Sequence, residues 1–216
     1  GAGDNHGSIA TEHPLIYSGD FASPEQIIPP EGVCGENGEP IPWELCATMN
    51  NHWGYCNFDH QYKNPKMLVR KLVECVSKGG NMILNVGPDA KGNIPQESVE
   101  ILERVGAWMQ KNKESIYGCG ISSLPKPEWG RYTQKGSVIY AHVYEAPLGA
   151  LPLYGIQPER LAEVTYLADG SEVNRGEAWN TALYPDVAFV SFGEDPVFTY
   201  PLPDENDTVL KICLKN

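Results

Sequence analysis

The hydrophobic periodicity of this sequence changes once, and that change limits the fold more than any other feature. Up to about residue 118, apolar residues recur at helical spacing, as at Leu68, Leu72 and Val76. From about residue 121 onward, apolar and polar residues alternate with a period of two. The sequence therefore predicts an α/β domain over residues 1–120 and an all-β domain over residues 121–216.

The first domain has the predicted order strand, helix, strand, helix. Apolar runs predict strands at 45–49 and 82–84, and the Asn64-Pro65 pair offers an N-cap and a first-turn proline for a helix between them. A second helix is predicted at 95–111. Two such units in succession indicate parallel strands, which are normally covered on both faces. Either further chain or residues 1–42, which read as extended loop, must cover this sheet.

The second domain has the pattern of antiparallel strands. Ile139, Ala141 and Val143 alternate with larger polar or aromatic residues, and Asp169-Gly170 is a hairpin turn signal between two apolar runs. Several short strands separated by turn signals predict an antiparallel β-sandwich.

Composition excludes some partners without choosing a substrate. The net charge of −12, with no cluster of Lys and Arg, disfavours nucleic acid. The sequence contains no run of 18 apolar residues, so it does not predict a membrane span. Six widely spaced cysteines without a C-x-x-C pair favour free thiols over zinc or redox chemistry, so we expect neither a metal nor another cofactor. The cellular compartment stays open.

Residues 42–55 combine aromatic rings, amides and a carboxylate in a predicted strand and the loop after it. A sugar site needs this mixture, because an aromatic face covers the apolar side of the ring while polar groups bind its hydroxyls. An aromatic-rich core strand followed by a hydrated loop has the same composition. Composition alone leaves both interpretations open.

The same segment resembles a characteristic stretch of the α-L-fucosidases of glycoside hydrolase family 29. Five further blocks follow the order and spacing of that family: 19–26, 76–81, 84–88, 92–95 and 114–118. Ordered blocks are far more specific than one short motif. The resemblance covers roughly residues 19–118, and the region beyond is similar to the C-terminal domain of bacterial members.

The resemblance implies the last β/α units of a (β/α)8-type barrel, with the active site at the C-terminal ends of the strands, followed by the sandwich. It also implies retaining hydrolysis, in which an Asp attacks the anomeric carbon and a second carboxyl group protonates the leaving oxygen. The segment that carries the nucleophile has no match here. We therefore expect this chain alone to be inactive, and its partner to be the missing N-terminal part of the barrel, as a cleaved or separate chain.

The resemblance also assigns roles to individual residues. Glu25 lies in the loop that matches the acid/base loop, and Glu44 is its rival, because a tightly packed neighbourhood raises the pKa of a carboxyl group. Trp53 matches an aromatic residue that lines the fucose pocket, and fucose, a 6-deoxy sugar, has a methyl group that needs apolar cover. The remaining candidate contacts to the fucosylated glycan are Trp43, Asn50 and Tyr55. A non-catalytic carbohydrate-binding fragment or subunit is the alternative function.

Overall fold

The structure is a computed structural model that describes residues 20–35 and 38–215. It divides into two compact units, of which the first ends at Ala107 and the second begins at Trp108. The sequence interpretation places the boundary later, between residues 120 and 121. Trp108 belongs to the second unit, in which its indole Nε1 donates to the carbonyl of Asp207 at 3.0 Å. No helix in the described part is long and apolar enough to cross a membrane, and none of the six cysteines, all of which lie among the described residues, forms a disulfide.

The first unit follows the predicted order of strands and helices. Its elements are β1 (Trp43–Thr48), α1 (Pro65–Ser77), β2 (Gly80–Asn85) and α2 (Gln96–Asn112), the last of which continues into the second unit. The predicted start of α1 is confirmed, since Asn64 Oδ1 accepts a hydrogen bond from Met67 N at 2.8 Å and Pro65 occupies the first turn.

Strands β1 and β2 are parallel, with Trp43 opposite Gly80 and Thr48 opposite Asn85. The ring of Trp43 lies so close to Gly80 that a Cβ atom there would be 2.3 Å from it. Glycine at position 80 therefore lets the first aromatic residue of β1 pack against β2.

The described part of residues 1–42 differs from the predicted extended loop. Residues 22–26 run parallel to β1, with bridges from Ala22 to Trp43 and from Glu25 to Cys46. Cys46 N donates to Pro24 O and Gln26 N donates to Cys46 O, both at 2.9 Å. This segment extends the sheet at the edge of β1. Hydrophobic periodicity does not predict this strand, because the segment is short and contains Pro24.

The two faces of this sheet differ. On one face Trp43, Leu45 and Ala47 are buried together with Cys75 of α1. Side chains alternate along a strand, so Glu44, Cys46 and Thr48 lie on the opposite face, which also carries Ile83 through its register with Cys46. Ile83 is 47% exposed. The described residues therefore cover only one face of the parallel sheet fully.

The second unit contains two antiparallel sheets. Its strands are β3 (Gly120–Ile121), β4 (Gly130–Lys135), β5 (Val138–Val143), β6 (Leu151–Leu153), β7 (Leu161–Tyr166), β8 (Asn174–Arg175), β9 (Ala188–Ser191) and β10 (Thr208–Leu214). One sheet has the order β3-β4-β5-β10-β7, and the other has the order β6-β9-β8. Ile139, Ala141 and Val143 share a core with Leu151 and Val190 of the smaller sheet. This arrangement is consistent with the predicted β-sandwich.

Candidate active site

The C-terminal ends of the parallel strands bring most of the candidate residues to one edge of the first sheet. Glu25 lies near the C-terminal end of the segment 22–26, the loop 50–63 follows β1, and residues 86–88 follow β2. Ligand sites of parallel sheets form at this edge, because loops from several strands converge there.

Glu25 and Trp53 are in direct contact, although 28 positions separate them in the sequence. The indole Nε1 of Trp53 donates to Glu25 Oε1 at 3.0 Å. Gln26, the next residue, has a φ of +61° and donates from Nε2 to Thr48 Oγ1 at 2.9 Å. A left-handed backbone is uncommon for a residue other than glycine, and here it fixes the chain directly after the carboxylate.

The end of β2 holds the backbone of Trp53. Asn85 Nδ2 donates to the Trp53 carbonyl at 2.6 Å. Gly87 has a φ of +55°, and a Cβ atom added there would be 3.3 Å from the Trp53 carbonyl oxygen. Asn85 and Gly87 therefore position the aromatic residue that contacts Glu25. The sequence blocks include both residues, but their spacing gives no indication of this role.

Asp59 organises the loop between β1 and α1. Its carboxylate accepts hydrogen bonds from Asn51 N at 2.9 Å and Gln61 N at 3.0 Å, and it is 2.7 Å from His52 Nδ1. The hydrogen bond with His52 is the main reason that the pKa of Asp59 is lowered, and the two backbone donors add to this effect. Sequence reasoning assigned no such role to Asp59.

Lys63 anchors the other end of the same loop by hydrogen bonds. Its Nζ donates to the carbonyls of Thr48 at 2.7 Å and Asn50 at 2.9 Å. Burial lowers the pKa of Lys63, since desolvation penalises the ammonium form. The hydroxyl of Thr48 also donates to the Asn50 carbonyl. The loop that carries Trp53 is thus held at several points.

Trp43 does not lie at this edge, so its predicted contact with substrate needs correction. It is 1% exposed, and its Nε1 donates to the carbonyl of Lys78 at 3.2 Å. β1 begins at Trp43, and the alternation of the strand turns this residue toward the helix-covered face. Trp43 is a core residue.

The other candidates have different surroundings. Asn50 is buried, and its side chain serves the loop, with Oδ1 accepting from His52 N at 3.1 Å. Tyr55 is exposed and donates to Asn57 Oδ1 at 3.1 Å. Glu44 is partly buried near the start of β1, four residues before the strand ends, or about 13 Å away. Burial, followed by Glu25 and then Glu44, raises the pKa of Cys46, so both carboxylates lie near that thiol.

Within residues 20–35 and 38–215, no group of three or more His, Cys, Asp or Glu side chains lies close enough to hold a metal ion.

Comparison with known proteins gives the family of the chain. The family model described as Alpha-L-fucosidase matches residues 3–114. The chain belongs to the alpha-L-fucosidase family. An Alpha-L-fucosidase from Dictyostelium discoideum is 37% identical over 110 residues, which are 49% of this chain and 24% of that protein.

Solved structures of family members match both units. Alpha-L-fucosidase isoenzyme 1 from Paenibacillus thiaminolyticus is 53% identical with a TM-score of 0.86, over 93% of this chain and 46% of that chain. An alpha-L-fucosidase GH29 from Bacteroides thetaiotaomicron is 25% identical with a TM-score of 0.75, over 92% of this chain and 43% of that chain. The resemblance to glycoside hydrolase family 29 is thereby confirmed. The chain spans about a quarter of the Dictyostelium protein and less than half of either solved chain.

Proposed function

We propose that this chain is part of a retaining α-L-fucosidase that releases terminal α-linked L-fucose from glycans or glycoconjugates. The observation that carries the proposal is the 3.0 Å contact between Trp53 and Glu25 at the C-terminal edge of the parallel sheet. It joins an apolar ring surface, suited to the methyl group of fucose, to a carboxyl group suited to proton transfer. Family membership supports the proposed substrate class.

Glu25 is the general acid/base in this proposal. A glycosidase acid must lie within hydrogen-bond reach of the oxygen that leaves, at the mouth of the site. Glu25 is level with Cys46 and contacts Trp53, whereas Glu44 lies two residues, or about 7 Å, further from the C-terminal end of β1. The position of Glu44 favours a role inside the sheet. The indole N–H of Trp53 holds one oxygen of Glu25 and fixes the direction of the carboxyl group.

The nucleophilic Asp belongs to a part of the enzyme outside this chain. Retaining hydrolysis needs two carboxyl groups about 5–5.5 Å apart, on opposite sides of the anomeric carbon. The exposed face with Ile83 supports this arrangement, because the inner side of a barrel sheet is normally packed against the remaining strands. Residues 22–26, β1 and β2 would then be three neighbouring strands of one β/α barrel.

The chemistry has two steps. Glu25 first donates a proton to the glycosidic oxygen while the nucleophile attacks the anomeric carbon, which gives a fucosyl-enzyme and releases the rest of the glycan. Glu25, now ionised, removes a proton from water as the water attacks the same carbon. Fucose leaves with its α-configuration retained, and Glu25 regains its proton.

The test compares Glu25→Gln with Glu44→Gln in the complete enzyme. Glu25→Gln should lower the hydrolysis of natural fucosides by roughly 10²–10⁴-fold, and that of activated aryl fucosides less at the first step, because their leaving groups need little protonation. Glu44→Gln should give a smaller loss, similar for both substrates. The reverse pattern would exchange the two roles. Saturable fucose binding by the wild type without any turnover would favour a non-catalytic carbohydrate-binding protein.

A further inference from the structure

His52 and Asp59 form a hydrogen-bonded pair that the proposed reaction does not use. His52 Nδ1 and Asp59 Oδ2 are 2.7 Å apart, the side chain of Asp59 is 6% exposed, and that of His52 is 54% exposed. An ionised carboxylate can only accept hydrogen bonds, and Asp59 also accepts from Asn51 N. The ring proton of His52 is therefore on Nδ1, directed at Asp59.

This tautomer leaves the other ring nitrogen ready for a ligand. In neutral imidazole with its proton on Nδ1, the Nε2 atom is an acceptor, and it becomes a donor when the ring is protonated. Within residues 20–35 and 38–215, Nε2 of His52 makes no hydrogen bond. A half-exposed side chain is thus held in one orientation by a buried carboxylate, which reduces the entropy lost when a ligand binds to it.

The place of His52 in the loop suggests which part of a substrate it meets. It directly precedes Trp53, so their Cα atoms are about 3.8 Å apart, and the indole of Trp53 contacts Glu25. An acid/base at Glu25 marks the oxygen that joins fucose to the next sugar. A site for a terminal sugar encloses that sugar and leaves the rest of the glycan leading toward solvent. His52, which is exposed and directly precedes Trp53, is therefore the candidate to meet the rest of the glycan.

We infer that His52 is a specificity-determining residue, whose Nε2 hydrogen-bonds a hydroxyl group of the sugar to which fucose is attached. Asp59 is the positioning residue for this imidazole. The inference rests on the proposed function and adds to it a subsite for the leaving group. It predicts that the enzyme distinguishes fucosylated oligosaccharides from aryl fucosides, which lack those hydroxyl groups.

A purely structural pair would behave differently. Asp59 already holds the loop through Asn51 N and Gln61 N, so the loop does not depend on the imidazole alone. If His52 served only as a partner of Asp59, any side chain that donates from the position of Nδ1 should replace it. If it binds substrate, the group at the position of Nε2 is the one that counts.

Two variants separate these roles. The amide of His52→Asn can replace Nδ1 as the donor to Asp59 but offers nothing at the position of Nε2, whereas the longer amide of His52→Gln reaches toward Nε2. The measurement is kcat/KM of the complete enzyme for a fucosylated disaccharide divided by kcat/KM for an aryl α-L-fucoside. We expect His52→Asn to lower this ratio by about 3–10-fold, as the loss of one hydrogen bond does, and His52→Gln to retain more of it.

His60→Asn is the matched control, since His60 lies in the same loop and pairs with exposed Glu97 at 3.1 Å. It should keep the wild-type ratio. A wild-type ratio in His52→Asn together with a lowered ratio in His52→Gln would overturn the inference in favour of a structural pair. Equal losses on both substrates would overturn the leaving-group subsite while the fucosidase proposal stands. A wild-type enzyme that cleaves neither substrate would overturn both.

Discussion

Ile83 in the parallel sheet is 47% exposed, whereas Ile212 in the sandwich is completely buried, although both occupy strand positions. Ile212 lies in β10 between β5 and β7, and the core it joins includes residues from both antiparallel sheets. Ile83 lies on the face of the parallel sheet opposite the Trp43 cluster. The sandwich therefore completes its own core, while the sheet that carries Glu25 has one face available to further protein.

The largest effect expected from this difference concerns activity. The 216-residue chain, purified without any upstream fragment, should show no turnover of an aryl α-L-fucoside, because a retaining glycosidase needs a second carboxyl group beside the anomeric carbon. Mass spectrometry establishes the absence of the fragment. Turnover that Glu25→Gln abolishes would mean that the chain holds its own nucleophile. Asp20 and Asp59 would then be tested first, with Asp4, which lies outside the described residues.

The next effect compares the same substitution in the two units. Ile212→Ala should lower the free energy of unfolding of the sandwich by about 2–5 kcal/mol, since it leaves a cavity in a closed core. Ile83→Ala should cost less than about 1 kcal/mol in the isolated chain, where the side chain is half exposed. Urea unfolding measures both values. In the complete enzyme the cost of Ile83→Ala should rise toward that of Ile212→Ala, and an unchanged small cost there would argue against a covered face.

Substitution of Trp43 and of Trp53, both in the aromatic segment, should have different kinds of effect. Trp43→Ala should destabilise the first unit by about 3–5 kcal/mol, because the ring is buried. Trp53, at 39% exposure, should mainly affect binding. Trp53→Ala should weaken binding of a fucose-like inhibitor by about 1.5–3 kcal/mol, or roughly 10–150-fold, with little change in thermal stability. Unchanged inhibitor affinity in a stable Trp53→Ala enzyme would remove this residue from the site.

The smallest expected effect is a change in the dependence of stability on acidic pH. The pKa of Asp59 is lowered in the first unit, and in the sandwich hydrogen bonds from Lys211 and then Tyr140 lower the pKa of Glu114. For a lowered pKa, the stabilisation is present above the ordinary value, about 3.9 for Asp and 4.3 for Glu, and is lost as the pH falls through the folded-state pKa.

Asp59→Asn should therefore reduce the loss of stability at low pH in the loop 50–63 only. Glu114→Gln should reduce the loss of stability at low pH in the second unit only. Amide NMR shifts of Asn51 and Gln61, recorded from pH 6 to pH 2, follow the first group. Their titration should have a midpoint below the ordinary Asp value and should vanish in Asp59→Asn. A midpoint at or above that value would contradict the hydrogen-bonded arrangement.

Local signals allowed much of the fold to be predicted. The N-cap pair Asn64-Pro65 fixed the start of α1, and strict alternation around Ile139 and Ala141 marked a core strand. The pairing of residues 22–26 with β1 has no such signal, because Pro24 interrupts any pattern and the hydrogen bonds come from distant residues.

Residues of the site could be predicted where a family motif includes them. They could not be predicted where contacts between residues of the folded chain determine their role. Trp43 and Trp53 belong to one aromatic segment. The observed strand β1 begins at Trp43 and directs its side chain into the core, whereas the predicted strand begins only at residue 45. The pairing of His52 with Asp59 arises in an irregular loop, where no periodicity relates the two positions. Physical contacts formed by the folded loop, such as the bond from Asn85 to the Trp53 carbonyl, leave no regular trace in sequence.

The most direct test of the central claim, that Glu25 is the acid/base of a retaining fucosidase, is the product that Glu25→Ala forms with azide. In a retaining enzyme without its acid/base, a fucosyl-enzyme still forms from an activated aryl fucoside, and azide can attack it from the face that Glu25 normally occupies. We predict faster turnover with azide and an α-configured fucosyl azide, identified by NMR. A β-configured product would make Glu25 the nucleophile, and rescue of Glu44→Ala without rescue of Glu25→Ala would assign the acid/base to Glu44.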